Sequence, residues 1–357
     1  MVVQLKVFPA NKGDAILISN TNEEGTQNIL VDGGTGREIY RILKEEFKRI
    51  KSENEFIDLL IVTHCDDDHI KGIIDIFQDT NVDKTIIKEV WFNSGELIAE
   101  RLEEKIEGNR DIPLTLNNSK EKSVTQGITL ETELEKLNCW SKTLVRGLLE
   151  SKIGDMKLTV LSPNEKGLRK LNKKWERERD SNKQQSGIKT DYEIPMIDLF
   201  TNKFEEDKGV PNGSSIAFLL ETEENKILML GDSHPSVIEE SLSDLGYSSQ
   251  NKLKVDVVKV SHHGSKHNTC ESLFNIIDCQ NYIVSTDGKS HGHPNKECFS
   301  RIVCTRQNQQ EYTNFYFNYN LKNIFLKKDH DDFKINSHYL SENGYIYELG
   351  EKTYGYL

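Results

Sequence analysis

No apolar run among the 357 residues approaches the roughly 18 that a bilayer-crossing helix needs. The longest, such as residues 59–62, have the length of a buried strand. The amino-terminal Met1-Val2-Val3-Gln4-Leu5-Lys6 lacks a charged leader followed by an apolar stretch, so no secretory signal is expected. Positive charge is in deficit: 46 Lys and Arg stand against 58 Asp and Glu, a formal net charge of −12. Such a field does not steer a protein toward nucleic acid, which argues against a sequence-specific DNA-binding module. It leaves room for an enzyme whose cleft is locally positive or holds metal. Cysteine is sparse: Cys65, Cys139, Cys270, Cys279, Cys298 and Cys304 form no C-x-x-C pair and no regular spacing. They read as reduced thiols filling core positions, and the expected compartment is the cytoplasm. Internal repeats are absent.

What is present is a globular composition, 36% apolar and 29% charged, in a chain long enough to bury a core without disulfide staples. Short apolar runs predict strands at residues 3–8, 15–19, 28–32, 86–92 and 156–161. The run at 56–63, broken only by Asp58, predicts a strand buried on both faces. Ile39, Leu43, Phe47 and Ile50 fall at helical spacing and predict a helix over 37–50; Ile70, Ile73, Ile74 and Phe77 predict another. Further helices are expected at 96–107, 130–140, 235–245, 270–277 and 296–304, with strands at 215–221, 226–230, 255–260 and 282–285. The last 45 residues, rich in Tyr, Phe and Asn, read as an edge hairpin or a small β addition. Strands and helices mixed along the whole chain point to a layered α/β architecture. Residues 163–189 carry nine Lys or Arg against four Asp or Glu, with Trp175 among them. The plain expectation is a solvated, mobile insertion. The functional one is a lid or arm meeting an anionic substrate, with Trp175 available for stacking.

Histidine is distributed unevenly: none of the ten precedes His64, and none lies between His69 and His234. Clustering at the ends of predicted strands suits a metal site, because ligands must converge and rigid strands hold the loops that carry them. Thr63-His64-Cys65-Asp66-Asp67-Asp68-His69 follows one such strand. Its imidazoles and carboxylates are ligand types for Zn²⁺, Mn²⁺ and iron. His64 and Asp66 can point toward one ion, and Asp68 and His69 toward a second. Three adjacent carboxylates repel one another without a cation. The bland alternative is a solvated acidic turn with Asp68 as helix N-cap. Leu230-Gly231-Asp232 ends another strand, and its carboxylate is placed to bridge two ions. Val260-Ser261-His262-His263-Gly264-Ser265 and His291-Gly292-His293-Pro294 complete the set.

Taken in order, Asn11-Lys12-Gly13-Asp14-Ala15-Ile16-Leu17-Ile18, Ile29-Leu30-Val31-Asp32-Gly33-Gly34, residues 63–69, Leu230-Gly231-Asp232, His262-His263-Gly264-Ser265 and Gly292-His293-Pro294 resemble the metallo-β-lactamase superfamily. Within it they resemble the hydrolase domain of the competence protein ComEC and its stand-alone relatives. The resemblance implies an α/β four-layer fold, the αββα sandwich, with a dinuclear metal site on one edge. It implies a hydrolase domain over 1–305, with a charged insertion at about 163–210, and a β-rich extension at 306–357 packed on the same domain. His64, Asp66, Asp68, His69, Asp232, His263 and His293 look like metal ligands, and Asp68 and His262 like catalytic residues. His262, Ser265 and Asn212 take substrate-contact positions, and Asp32 matches the Asp that orders the metal-binding loop. The division of roles among His262, His263 and His293 stays open. Two departures stand out. Asp66 replaces the usual second His of the first motif, and residues 70–231 contain no His at all. Asn212 or Ser214 is expected to fill the missing place. A site richer in oxygen makes Mn²⁺ or Mg²⁺ credible alongside Zn²⁺.

The expected activity is therefore metal-dependent hydrolysis of a phosphodiester by a dinuclear site, with nucleic acid as the leading substrate class. Two alternatives remain: a hydrolase of a small phosphoester, phosphorylcholine-like, or of a thioester; and a metal-stabilised component of a larger sensor or defence assembly, with a protein partner.

Overall fold

The computed structural model describes residues 2–103, 122–177, 190–306 and 311–349. Strands Val2–Val7, Ile16–Asn22, Gly25–Val31, Leu59–Ile61 and Val90–Trp91 lie side by side in that order, with Ile346–Leu349 added outside the first. A second sheet runs Glu150–Ile153, Met156–Ser162, Ala217–Glu221, Lys226–Met229, Val257–Lys259, Asn281–Val284, Thr313–Phe317 and Ile335–Tyr339. In each sheet an antiparallel meander gives way to parallel strands.

Both sheets are apolar on both faces, and the period-two alternation decides which side chain goes where. Ile16, Ile18, Ile29 and Val31 of the first sheet meet Leu158, Phe218, Met229, Val257 and Ile283 of the second. Leu17, Leu30 and Leu60, one residue out of phase, meet the helices. Those helices are α1 (Arg37–Ser52), α2 (Asp67–Gln78), α3 (Gly95–Arg101), α4 (Lys122–Leu134) and α5 (Glu165–Arg177). On the far side α6 (Met196–Phe200), α7 (Pro235–Asp244), α8 (Glu271–Ile276) and α9 (Lys296–Thr305) cover Leu219, Leu228, Val258, Tyr282 and Phe315. The result is four layers, helix–sheet–sheet–helix. No helix of the described residues is long and apolar enough to cross a membrane.

Several local expectations give way. Of residues 56–63 only Leu59–Ile61 forms a continuous ladder, with Ile57 adding an isolated parallel bridge to Ile87. The helix expected at 130–140 spans Lys122–Leu134, and the one expected at 96–107 is Gly95–Arg101, its last residues falling outside those described. The carboxyl-terminal hairpin is instead a parallel pair, Thr313–Phe317 beside Ile335–Tyr339, linked through α10 (Lys327–Asp332). Residues 165–177 of the basic segment form α5, which buries Leu168 and Leu171; residues 178–189 lie outside those described. Trp175 is not free for stacking on a substrate. Its indole fills the space over Gly95 and Gly127, where any Cβ would collide with the ring. It thereby locks α5 to α3 and α4.

Candidate metal centre

The parallel strands bring their carboxyl ends to one rim, the place where α/β sheets bind ligands. Leu59–Ile61 delivers Thr63 and His64. Helix α2 opens with Asp66 as its N-cap, not Asp68, so Asp67, Asp68 and His69 occupy its first turn. Lys226–Met229 leads into Gly231-Asp232, and Val257–Lys259 into the turn Ser261–Gly264. There His262 (φ 46°), His263 (φ 55°) and Gly264 (φ 82°) are left-handed in succession. For non-glycine residues that conformation stores about 1 kcal/mol or more each. It brings the Nε2 atoms of His262 and His263 to 3.7 and 3.6 Å from Asp232 Oδ2.

Asp232 Oδ2 is the hub, with His69 Nε2 at 3.3 Å and His64 Nε2 at 3.8 Å. His64 Nε2 also lies 3.7 Å from Asp66 Oδ2, and His263 Nε2 3.7 Å from Asp68 Oδ2. The hydrogen bonds behind the rings fix their tautomers. Asp32, fully buried, accepts from the Thr63 amide at 2.8 Å, the Thr63 hydroxyl at 2.7 Å and His69 Nδ1 at 2.7 Å. With its proton given to Asp32, Thr63 Oγ1 can only accept from His64 Nδ1, at 3.0 Å. His263 Nδ1 donates to the Ser285 carbonyl at 3.0 Å. Three imidazoles therefore turn their Nε2 atoms toward a carboxylate, and His69 and His263 face each other at 3.3 Å. His64 Nε2 and Asp232 Oδ1 are buried without a hydrogen-bond partner. A buried carboxylate ringed by imidazole nitrogens calls for positive charge between them, from protons on the rings or from a metal cation. The donor set thus fits divalent metal. One donor atom from each of Asp14, His69, Asp232 and His263 lies within 4.8 Å of the others.

The electrostatics show the same demand for positive charge beside the carboxylates. Burial pulls His69 down, yet Asp232 and Asp32 outweigh it and hold the ring well above the ordinary histidine range. Burial raises Asp232, but His69, His263 and His262 hold it well below the usual carboxylate range. His262 is lifted to about 9 against its burial by Asp232 and Asp207. His293, 4.9 Å ring to ring from His262, is driven well below the ordinary range by burial and then by the neighbouring imidazoles.

A cavity of about 350 Å³ opens on this cluster, lined by Asp66, Asp67, Asp68, Asp232, His262, His263 and His293, with Lys12, Ser123, Thr286, Ser290 and His291 on its remaining walls. Ser265 does not reach it: the side chain is buried and its hydroxyl accepts from the His267 amide at 3.2 Å. Nor do Asn212 or Ser214 fill the place of the missing histidine. Ser214 donates to the Pro211 carbonyl, and Asn212 donates to Asp207 on the far side of His262. Asp14 is the carboxylate that joins the cluster, 3.6 Å from His263 Nδ1, with its other oxygen bonded to Lys259.

Asp14, Lys259, Asp207 and Asn268 are site residues that the sequence patterns do not single out. Asn268 Nδ2 donates to the Asp232 and Ser233 carbonyls, so its Oδ1 faces His262 Nδ1 at 2.9 Å and places the proton there. One signal was legible: Lys259, in the apolar run Val257-Val258-Lys259-Val260, needs a buried counter-charge.

Residues 10–138 match the sequence family described as the metallo-beta-lactamase superfamily, a span holding Asp14, Asp32 and the 63–69 motif. With the four layers above, this makes the fold the metallo-β-lactamase αββα sandwich. No curated protein matches the chain. Among solved structures, the metallo-beta-lactamase fold protein YhfI from Bacillus subtilis is 12% identical with a TM-score of 0.40, over 98% of this chain and 99% of its own. CmlA, a diiron beta-hydroxylase from Streptomyces venezuelae, is 12% identical with a TM-score of 0.39, over 98% of this chain and 54% of its own. An E377D mutant of CmlA gives 14% and 0.37. The chain thus spans about half the length of CmlA. Neither likeness transfers an activity.

Proposed function

We propose that this protein is a metal-dependent hydrolase of phosphodiesters, with nucleic acid as its substrate class. The observation that carries the reading is the set of imidazole nitrogens converging on Asp232 beside an open, polar cavity. His64, Asp66, Asp68, His69, Asp232 and His263 would hold two divalent ions, Zn²⁺ or Mn²⁺, with Mg²⁺ admitted by the oxygen-rich donors. When bound, such ions supply Lewis acidity and a water of lowered pKa. Asp68, partly buried at the start of α2, accepts the proton of the attacking water. His262, with Nδ1–H held by Asn268, donates from Nε2 to a phosphate oxygen. Similarity of the ordered motifs to the ComEC hydrolase domain supports the same reading.

The test is elemental analysis with a nuclease screen. Close to two divalent ions per chain are expected, with metal-dependent cleavage of DNA or RNA. Asp68→Ala is expected to lose at least about 10²-fold in rate while staying folded. Failure to take up metal on reconstitution, or near-full activity in folded Asp68→Ala, overturns the reading.

A further inference from the structure

Lys12 stands apart in the cavity. Carboxylates of Asp66, Asp67 and Asp68 line the same space, yet among the described residues no carboxylate lies within 4.0 Å of its ammonium and no hydrogen bond engages it. It is therefore not the counter-ion of the acidic floor. Its backbone is held on both sides. The Asn11 amide donates to Tyr319 Oη at 2.8 Å, and the Asn11 carbonyl accepts from the Asp287 amide at 2.8 Å. Gly13 presses on the Asp68 carbonyl so closely that any Cβ would collide, and its own carbonyl accepts from Ser285 Oγ at 2.9 Å. The bond from Asp287 ties this loop to the one carrying Ser290 and His291, which line the same cavity. A half-buried ammonium with no carboxylate within 4.0 Å, on a backbone held at both neighbouring residues and sharing its cavity with a hydroxyl and an imidazole, has the chemistry of an anion subsite.

We infer that Lys12, with Ser290 and His291, binds a second phosphate of the molecule whose first phosphate meets the carboxylate–imidazole cluster. The inference rests on the phosphodiesterase reading and narrows it: the preferred substrate carries a phosphate adjacent to the scissile one, as an oligonucleotide does and phosphorylcholine does not.

The experiment compares thymidine 3′,5′-bisphosphate with thymidine 5′-monophosphate by calorimetry on the metal-reconstituted full chain. Wild type is expected to bind the bisphosphate at least tenfold more tightly. Lys12→Gln is expected to erase that preference by weakening the bisphosphate alone, with metal content and Tm unchanged, and Lys12→Arg to retain most of it. Three outcomes overturn the inference: no preference in wild type, an undiminished preference in Lys12→Gln, or parallel loss of both probes together with metal or Tm, which would make Lys12 a counter-charge of the acidic floor. Phosphodiester turnover is read separately. A lost preference in Lys12→Gln without turnover in wild type keeps the anion subsite and removes the hydrolase reading; turnover with an undiminished preference does the reverse.

Discussion

Asp14 and Lys259 show how much of the site depends on charges that never face the cavity. Both are buried, and Asp14 is held below the ordinary carboxylate range: burial raises it, but Lys259 and then His263 more than compensate. Removing one partner of such a pair strands the other charge in a low dielectric. Lys259→Met is expected to destabilise the fold by about 3–5 kcal/mol, read as a drop in the urea midpoint. The double variant Lys259→Met/Asp14→Leu should recover most of that loss. If Lys259→Met alone leaves the midpoint unmoved, Asp14 is not a buried charge. The first motif was legible because several ligand types crowd into one short segment, and Asp232 because Gly-Asp ends a strand in its place among the ordered motifs. Asp14, although within one of those motifs, has no role assigned by it, and Asp207 is not singled out: each joins the cluster only by tertiary contacts, to Lys259 and His263 and to His262.

The elements around the site owe their placement to particular contacts that periodicity does not reveal. The spacing of Ile39, Leu43, Phe47 and Ile50 gave α1 nearly whole, since a single apolar stripe facing a sheet is what that period encodes. Helix α5 reads as solvated from composition because charged residues surround two buried leucines and a tryptophan. Trp175→Ala is expected to cost about 3 kcal/mol by opening a cavity between α3, α4 and α5, measured by denaturant unfolding. A loss under about 0.5 kcal/mol, the range of ordinary surface changes, would show that the indole is not a brace. A second brace joins α4 to α3. Glu131 accepts from Ser94, the N-cap of α3, and burial raises its carboxyl to about 7. The folded state then binds more protons than the unfolded state between the ordinary glutamate range and pH 7, so stability falls as pH rises through that window and is level above it. Glu131→Gln keeps the acceptor and removes the charge. It is expected to melt higher than wild type at pH 8, with the difference shrinking toward pH 5. Equal melting temperatures at both pH values would place the Glu131 carboxyl in water.

Across the whole molecule the charge is uneven in a way the net value of −12 conceals. Lys166, Lys170 and Lys173 fall at i, i+4 and i+7 on α5, are exposed, and have no hydrogen-bond or ion-pair partner among the described residues. Helix α5 rests against the turn Asn212–Ser214, Gly167 pressing on the Gly213 carbonyl, and that turn holds Asn212 beside His262. The lysine row therefore lies one element away from the cavity, on a helix that Trp175 prevents from swinging. A single strand leaving the cavity along this row would exchange counterions for ammonium groups. Changing the three lysines to Gln together is expected to weaken single-stranded DNA binding and flatten the plot of log affinity against log salt by up to about 2, near 0.7 for each phosphate no longer neutralised. A small chromogenic phosphodiester, which reaches only the cavity, should be turned over as before. An unchanged salt slope would make the row solvated surface and confine recognition to the cavity and Lys12, whereas equal losses on both substrates would mean that α5 braces the His262 turn and contacts no strand.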